Sequence, residues 1–69
     1  MKKELTYFIP KMMREIRESL GLTQSELARL TGLSRQSINS YETGLAEPRL
    51  DSLSKWLEVI TAKIRDKGK

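Results

Sequence analysis

Four residues in a six-residue window carry the most directed chemistry in the sequence. Arg35, Gln36, Asn39 and Ser40 are spaced so that, on a 3.6-residue wheel, they form one continuous polar arc. The arc is rich in planar hydrogen-bonding groups. An arginine fork matches O6 and N7 of guanine, and a glutamine amide matches N6 and N7 of adenine. A serine hydroxyl reaches less far and pairs with either a donor or an acceptor. Ile38, Tyr41 and Glu42 fall on the opposite side of the wheel, with Ser37 beside them. The plain alternative is a set of solvated side chains at a helix start. That alternative leaves the apolar residues on the other face of the same segment unexplained.

The rest of the composition argues for binding rather than catalysis. The chain has 69 residues with no histidine and no cysteine. Zinc sites, thiol nucleophiles, disulfides and imidazole acid–base chemistry are excluded, and no metal or cofactor is expected. The remaining carboxylates, lysines and hydroxyls form no catalytic constellation, so the sequence does not read as an enzyme. Residues 1–69 are expected to form one domain, with a core over 9–60 and a tail over 61–69. The net charge of +4 suits a polyanion. The excess lies at the two ends, because Arg29 and Arg35 balance Glu26 and Glu42 across residues 22–46. Phosphate attraction is then expected mainly from the flanks, and sequence reading from the neutral middle. The apolar stretch Leu5–Pro10 is too short and interrupted for a signal-peptide core, and nothing approaches a membrane span. The expected location is the cytoplasm.

The elements that must position the arc are legible from caps and periodicity. Met12, Met13, Ile16 and Leu20 form one apolar stripe over Lys11–Leu20. Pro10 suits the first turn of that helix, and Gly21 suits a left-handed C-cap. Thr23-Gln24-Ser25-Glu26 reads as a capping box, with Leu22 and Leu27 as its staple. A second helix then runs from Gln24 to about Leu30, with Leu27, Ala28 and Leu30 facing inward, and ends at Gly32. Ser34 caps a third helix reaching about Tyr41–Glu42. A loop over Thr43–Pro48 precedes a helix from about Leu50 to Glu58. Leu22, Leu27, Ala28, Leu33, Ile38, Tyr41, Leu53 and Leu57 are expected in the core, and Trp56 in the core or on a dimer surface. In the tail, Ile60, Ala62 and Ile64 alternate with Thr61, Lys63 and Arg65, which favours a strand pairing with a second subunit. Ile60 and Ile64 would equally extend the helix.

The segments Leu20–Ala28 and Gly32–Gly44, in particular "LTQSELA" and "SRQSINSYETG", resemble the Cro/C1-type helix-turn-helix domains of phage and bacterial repressors. The resemblance continues through Pro48 and the helix of Leu53–Leu57, covering roughly residues 9–60. It implies an all-α, lambda-repressor-like fold of five helices. The third helix would lie in the major groove of double-stranded DNA and the second would cross the backbone. The family's base-reading positions fall on Gln24, Arg35, Gln36 and Ser40, and the resemblance also implies that Gln24 hydrogen-bonds a phosphate and a side chain of the recognition helix. Backbone contacts are implied for Thr23, Ser34, Thr43 and Arg49, with Asn39 as a backbone or edge contact. Arg17 and Glu42 match a family pair that forms an internal salt bridge. One departure is that Arg49 and Leu50 stand where the family often has a small hydroxyl cap.

The function this implies is a transcriptional regulator, expected to repress as a homodimer on a near-palindromic operator. The alternative is the antitoxin of a toxin–antitoxin pair, which would bind a toxin protein and repress its own operon. A strand in the tail would keep that alternative open.

Overall fold

A computed structural model describes the backbone of residues 2–67 and the side chains of residues 9–67. Four helices follow in order: α1 Lys2–Ser19, α2 Gln24–Thr31, α3 Arg35–Thr43 and α4 Leu50–Lys67. Helix α3 packs against α1 and α2, and α2 packs against α4.

Local signals set the joints. At the end of α1, Gly21 adopts φ +73°, its N–H reaches the Glu18 carbonyl and the Leu22 N–H reaches the Arg17 carbonyl. This doubly bonded turn needs a left-handed residue, which glycine supplies without Cβ strain. Thr23 then caps α2. Its hydroxyl oxygen accepts the Glu26 N–H at 3.0 Å, and the Thr23 N–H donates to Glu26 Oε1 at 2.9 Å. Ser34 caps α3 by accepting the Ser37 N–H at 3.0 Å. Between α2 and α3, Gly32 takes φ +76° and the buried Thr31 hydroxyl donates to the Leu27 carbonyl.

The core collects side chains from every helix. Met13 comes from α1, Leu27 and Ala28 from α2, Ile38 from α3, and Trp56 and Ile60 from α4, with Leu22 from the turn. Leu27 and Ile38 are fully enclosed. Each such side chain contributes about 1.5–3 kcal/mol through burial. Ile16, Leu20, Leu33, Tyr41, Leu53 and Val59 pack around this centre.

Several expectations from the sequence are corrected. Helix α1 does not begin at Pro10 but runs back to Lys2, with the proline inside it. Pro10 removes one helical donor, but the preceding segment has no glycine and includes the helix formers Lys3, Glu4 and Leu5. The tail is not a strand, and a fifth helix is absent among the described residues. Helix α4 continues unbroken through Lys67 because Ile60 stays on the buried stripe set by Leu53 and Trp56. A lone strand would have had no partner for its backbone groups. Gly68 and Lys69, the end of the expected tail, lie outside the described residues.

Three apolar positions also differ from the wheel. Leu57, Leu30 and Met12 are exposed, at 49%, 44% and 40%. Trp56 occupies the α4 position facing the core, which turns Leu57 to the edge of the stripe. Trp56 is therefore core within this chain, at 5% exposure.

Its indole Nε1 is buried without a hydrogen-bond partner among the described residues. An orphaned donor of this kind costs about 1–3 kcal/mol. Trp56→Phe, which deletes it, should therefore lower stability far less than Trp56→Ala, expected to cost about 3–5 kcal/mol. Denaturant melts of both variants would check this; equal losses would count against it. The capping box adds a pH signature. Hydrogen bonds from Thr23 hold the Glu26 carboxyl below its ordinary 4.5. Its stabilisation is present above the unfolded value and disappears as pH falls through the folded one. The stability gap between the wild type and Glu26→Gln should therefore hold above about pH 5 and shrink in more acid solution. Thermal melts across that range would measure it.

Candidate functional site

The site is built outward from one buried ion pair. Arg17, on α1, and Glu42, on α3, have side chains only 9% and 2% exposed. Arg17 Nε donates to Glu42 Oε2 at 2.7 Å and Nη2 donates to Oε1 at 3.0 Å. The remaining arm, Nη1, donates to the Leu22 carbonyl at 2.7 Å. Each arm of the fork thus has an acceptor, and three segments are tied to one guanidinium. The Glu42 carboxylate raises the Arg17 pKa further against the opposing effect of burial.

Gln24 extends this centre toward the surface. It is the first residue of α2, so the Thr23 cap fixes where its side chain starts. Its Nε2 donates to Glu42 Oε1 at 3.2 Å and to Asn39 Oδ1 at 3.1 Å. The structure therefore brings Arg17, Glu42, Gln24 and Asn39 into one connected network.

Beyond Asn39 lies the exposed face of α3. Arg35 and Gln36 are exposed, and no hydrogen bond involves their side chains among the described residues. Ser40 is half-buried on the same face. It lines an open polar cleft of about 480 Å3 between α3 and the start of α4, with Gln36, Arg49 and Asp51 on its walls. Two other site residues have hydroxyl hydrogens already directed. Ser34 donates to Ser37 Oγ at 2.8 Å, and Thr43 donates to the Asn39 carbonyl at 2.9 Å. Arg49 is exposed just before α4, and its carbonyl accepts the Leu53 N–H at 2.8 Å. In place of a hydroxyl cap, Asp51 Oδ1 accepts the Ser52 N–H at 2.9 Å.

One contact was not visible in the sequence: the Arg17–Leu22 bond depends on the carbonyl orientation set by the Gly21 turn. The resemblance implied a bond from Gln24 to a side chain of the third helix, and the structure shows two, to Asn39 and to Glu42; which residues they are had no periodic signal. The caps at Thr23 and Ser34 were the only local hints that these residues share one end of the bundle.

Two short helices joined through a glycine turn, the second presenting a polar face over an apolar back, define a helix-turn-helix domain. A helix-turn-helix family model matches residues 13–65, and the chain belongs to this Cro/C1-type family. The chain is 42% identical over 41 residues to an HTH-type transcriptional regulatory protein of Methanocaldococcus jannaschii, covering 59% of this chain and 13% of that protein. It is 49% identical over 39 residues to an uncharacterized HTH-type transcriptional regulator of Methanothermobacter thermautotrophicus, covering 56% of each. It is 39% identical over 54 residues to another such regulator from Archaeoglobus fulgidus, covering 78% of this chain and 77% of that one. The chain thus spans well under two thirds of the first two relatives. No solved structure matches the chain at a significant level. Among the described residues, no helix is long and apolar enough to cross a membrane.

Breaking the ion pair from one side leaves a buried charge uncompensated. Arg17→Met or Glu42→Leu alone should each cost about 3–5 kcal/mol, whereas the double variant should lose clearly less than the sum. Denaturant titrations of the four proteins close the cycle. Additive losses would show that the two side chains act independently.

Proposed function

We propose that the chain is a sequence-specific DNA-binding transcriptional regulator, with α3 placed in the major groove. It acts in the cytoplasm as a repressor, as a homodimer on a near-palindromic operator. Arg35 and Gln36 read base edges, with Ser40 and Gln24 as further base contacts. Thr23, Ser34, Asn39, Thr43 and Arg49 meet the DNA backbone.

The observation that carries this reading is the division of α3. Ile38 is 1% exposed and locks the helix from behind, while Arg35 and Gln36 project freely. Planar side chains with unused hydrogen-bonding groups, on a helix fixed against rotation, suit bidentate contact with bases. The cap geometry refines the backbone contacts. Because the Ser34 hydroxyl is engaged by both the N–H and the hydroxyl of Ser37, a phosphate at this end of α3 meets the first free amides of the helix rather than that hydroxyl. The Thr23 hydroxyl is likewise engaged with Glu26, so a phosphate at the start of α2 meets the first free amides of that helix.

A single reading helix of nine residues covers only a few base pairs. Useful selectivity follows from two half-sites about 34–36 Å apart on one face of the duplex, which supports a two-fold dimer. A toxin protein as partner drew on a strand in the tail. That segment is helical here, so no observation favours the alternative.

Selection from a pool of random duplex DNA, followed by sequencing, tests the reading. The wild type should enrich a near-palindromic site. Arg35→Ala should relax the preference at one base pair of each half-site, losing about 1–3 kcal/mol of discrimination there with an unchanged melting curve. An unaltered selected motif would remove Arg35 from base reading, and no enrichment by the wild type would overturn the function.

A further inference from the structure

The network from Arg17 to Asn39 has a direction. Arg17 offers only donors and the Glu42 carboxylate only acceptors. The two Glu42 oxygens take the two guanidinium contacts, and Oε1 also faces the Gln24 amide at 3.2 Å. Turning the Gln24 carbonyl oxygen toward Glu42 would set acceptor against acceptor, so Nε2 must face inward. One hydrogen of Nε2 goes to Glu42. The other points at Asn39, 3.1 Å away, where only the oxygen of the Asn39 amide can receive it.

We infer that the buried Glu42 carboxylate, acting through Gln24, fixes Asn39 with its Nδ2 outward. Asn39 is therefore a donor that takes an acceptor on the DNA, either a phosphate oxygen or an acceptor atom on a base edge. Two-point recognition of adenine needs an amide oxygen and an amide nitrogen presented together. The Asn39 oxygen already accepts from Gln24, which ties its direction to that residue and leaves it one lone pair, so the amide is not free to turn both groups onto one base. On this face, Gln36 is the amide left free for adenine. Gln24 correspondingly turns its Oε1 away from Glu42, as the unused acceptor of the relay. Glu42 thus acts as a positioning residue for hydrogen-bond polarity at a surface it does not reach. The inference deepens the DNA-binding reading and rests on it.

Two measurements test it on the full chain. In the free protein labelled with 15N and 13C, the scalar coupling across the hydrogen bond should link Gln24 Nε2 to Asn39 Cγ. A coupling from Asn39 Nδ2 to the Gln24 Cδ would reverse the polarity and overturn the relay. The second measurement is binding of Asn39→Asp to DNA selected by the wild type. The carboxylate of that variant can still accept from Gln24, but it places a charged acceptor where the donor had been. Affinity should fall by about tenfold or more at fixed salt, with an unchanged melting curve. A loss equal across all sequences assigns the contact to phosphate, and a loss tied to one base pair assigns it to a base acceptor. Binding equal to the wild type overturns the inference. The coupling is read without DNA, so a reversed coupling defeats the relay even where the wild type binds. Failure of the wild type to bind any DNA defeats the functional reading instead.

Discussion

The Arg17–Glu42 pair is the constraint on which the geometry of the functional face depends. It joins residues twenty-five positions apart and adds the Leu22 carbonyl as a third anchor. A buried ion pair is weak evidence of net stabilisation, because desolvating two charges offsets much of their attraction. Its effect here is geometric. Glu42 lies on α3 one turn after Ile38, and the two together fix the rotation of that helix about its axis. A hydrophobic pair of similar volume would fill the space but would not require one particular rotation. Rotation matters because a small turn of α3 would carry Arg35 and Gln36 away from any common plane.

The turn before α2 shows how the same arginine controls a second element. The Arg17 carbonyl accepts the Leu22 N–H, and the Arg17 guanidinium donates to the Leu22 carbonyl. Leu22 is therefore held through both its N–H and its carbonyl, and its side chain is buried in the core. Thr23 follows directly as the cap of α2, so the starting direction of that helix is set from α1. Gln24 inherits its position from this chain of local constraints. The hydrogen bonds that it makes to α3 then join the two helices of the motif at their polar edge.

What was legible in the sequence was mostly short in range. The capping box at Thr23, the cap at Ser34 and the glycine turns involve groups within five residues, and residue type alone nearly determines them. The two faces of α3 followed from the same reasoning, since Ile38 had to be inside and a 3.6-residue period placed the rest. Longer-range competition was not legible. Pro10 is a good start signal locally, yet the helix-forming residues before it carry α1 backward. The alternation in the tail resembles a strand over six residues, but Ile60 has a place in the core that only a continued helix satisfies. Leu57 and Trp56 are adjacent and both apolar; the packing seats Trp56 inside and leaves Leu57 at the edge, and the sequence does not name the partner that decides between them. Likewise, the family pattern paired Arg17 with Glu42 but carried no information about which way the amides of Gln24 and Asn39 point.

Charge illustrates the difference between counting and placing. The sequence puts its basic excess on the flanks, yet on α1 Lys11 and Arg14 each sit beside an acid one turn on, at 3.9 and 3.4 Å from Glu15 and Glu18. Exposed pairs of this kind add little stability, but they neutralise each other at the distances over which a phosphate would feel them. Among the described residues, Arg35 has no such acidic neighbour within salt-bridge distance. Helix α3 therefore carries a cation whose field is not cancelled by an adjacent acid. A neutral middle segment thus does not mean a neutral exposed face of α3: Glu42, which balances Arg35 in the count, is buried against Arg17 and is not part of the surface that Arg35 occupies.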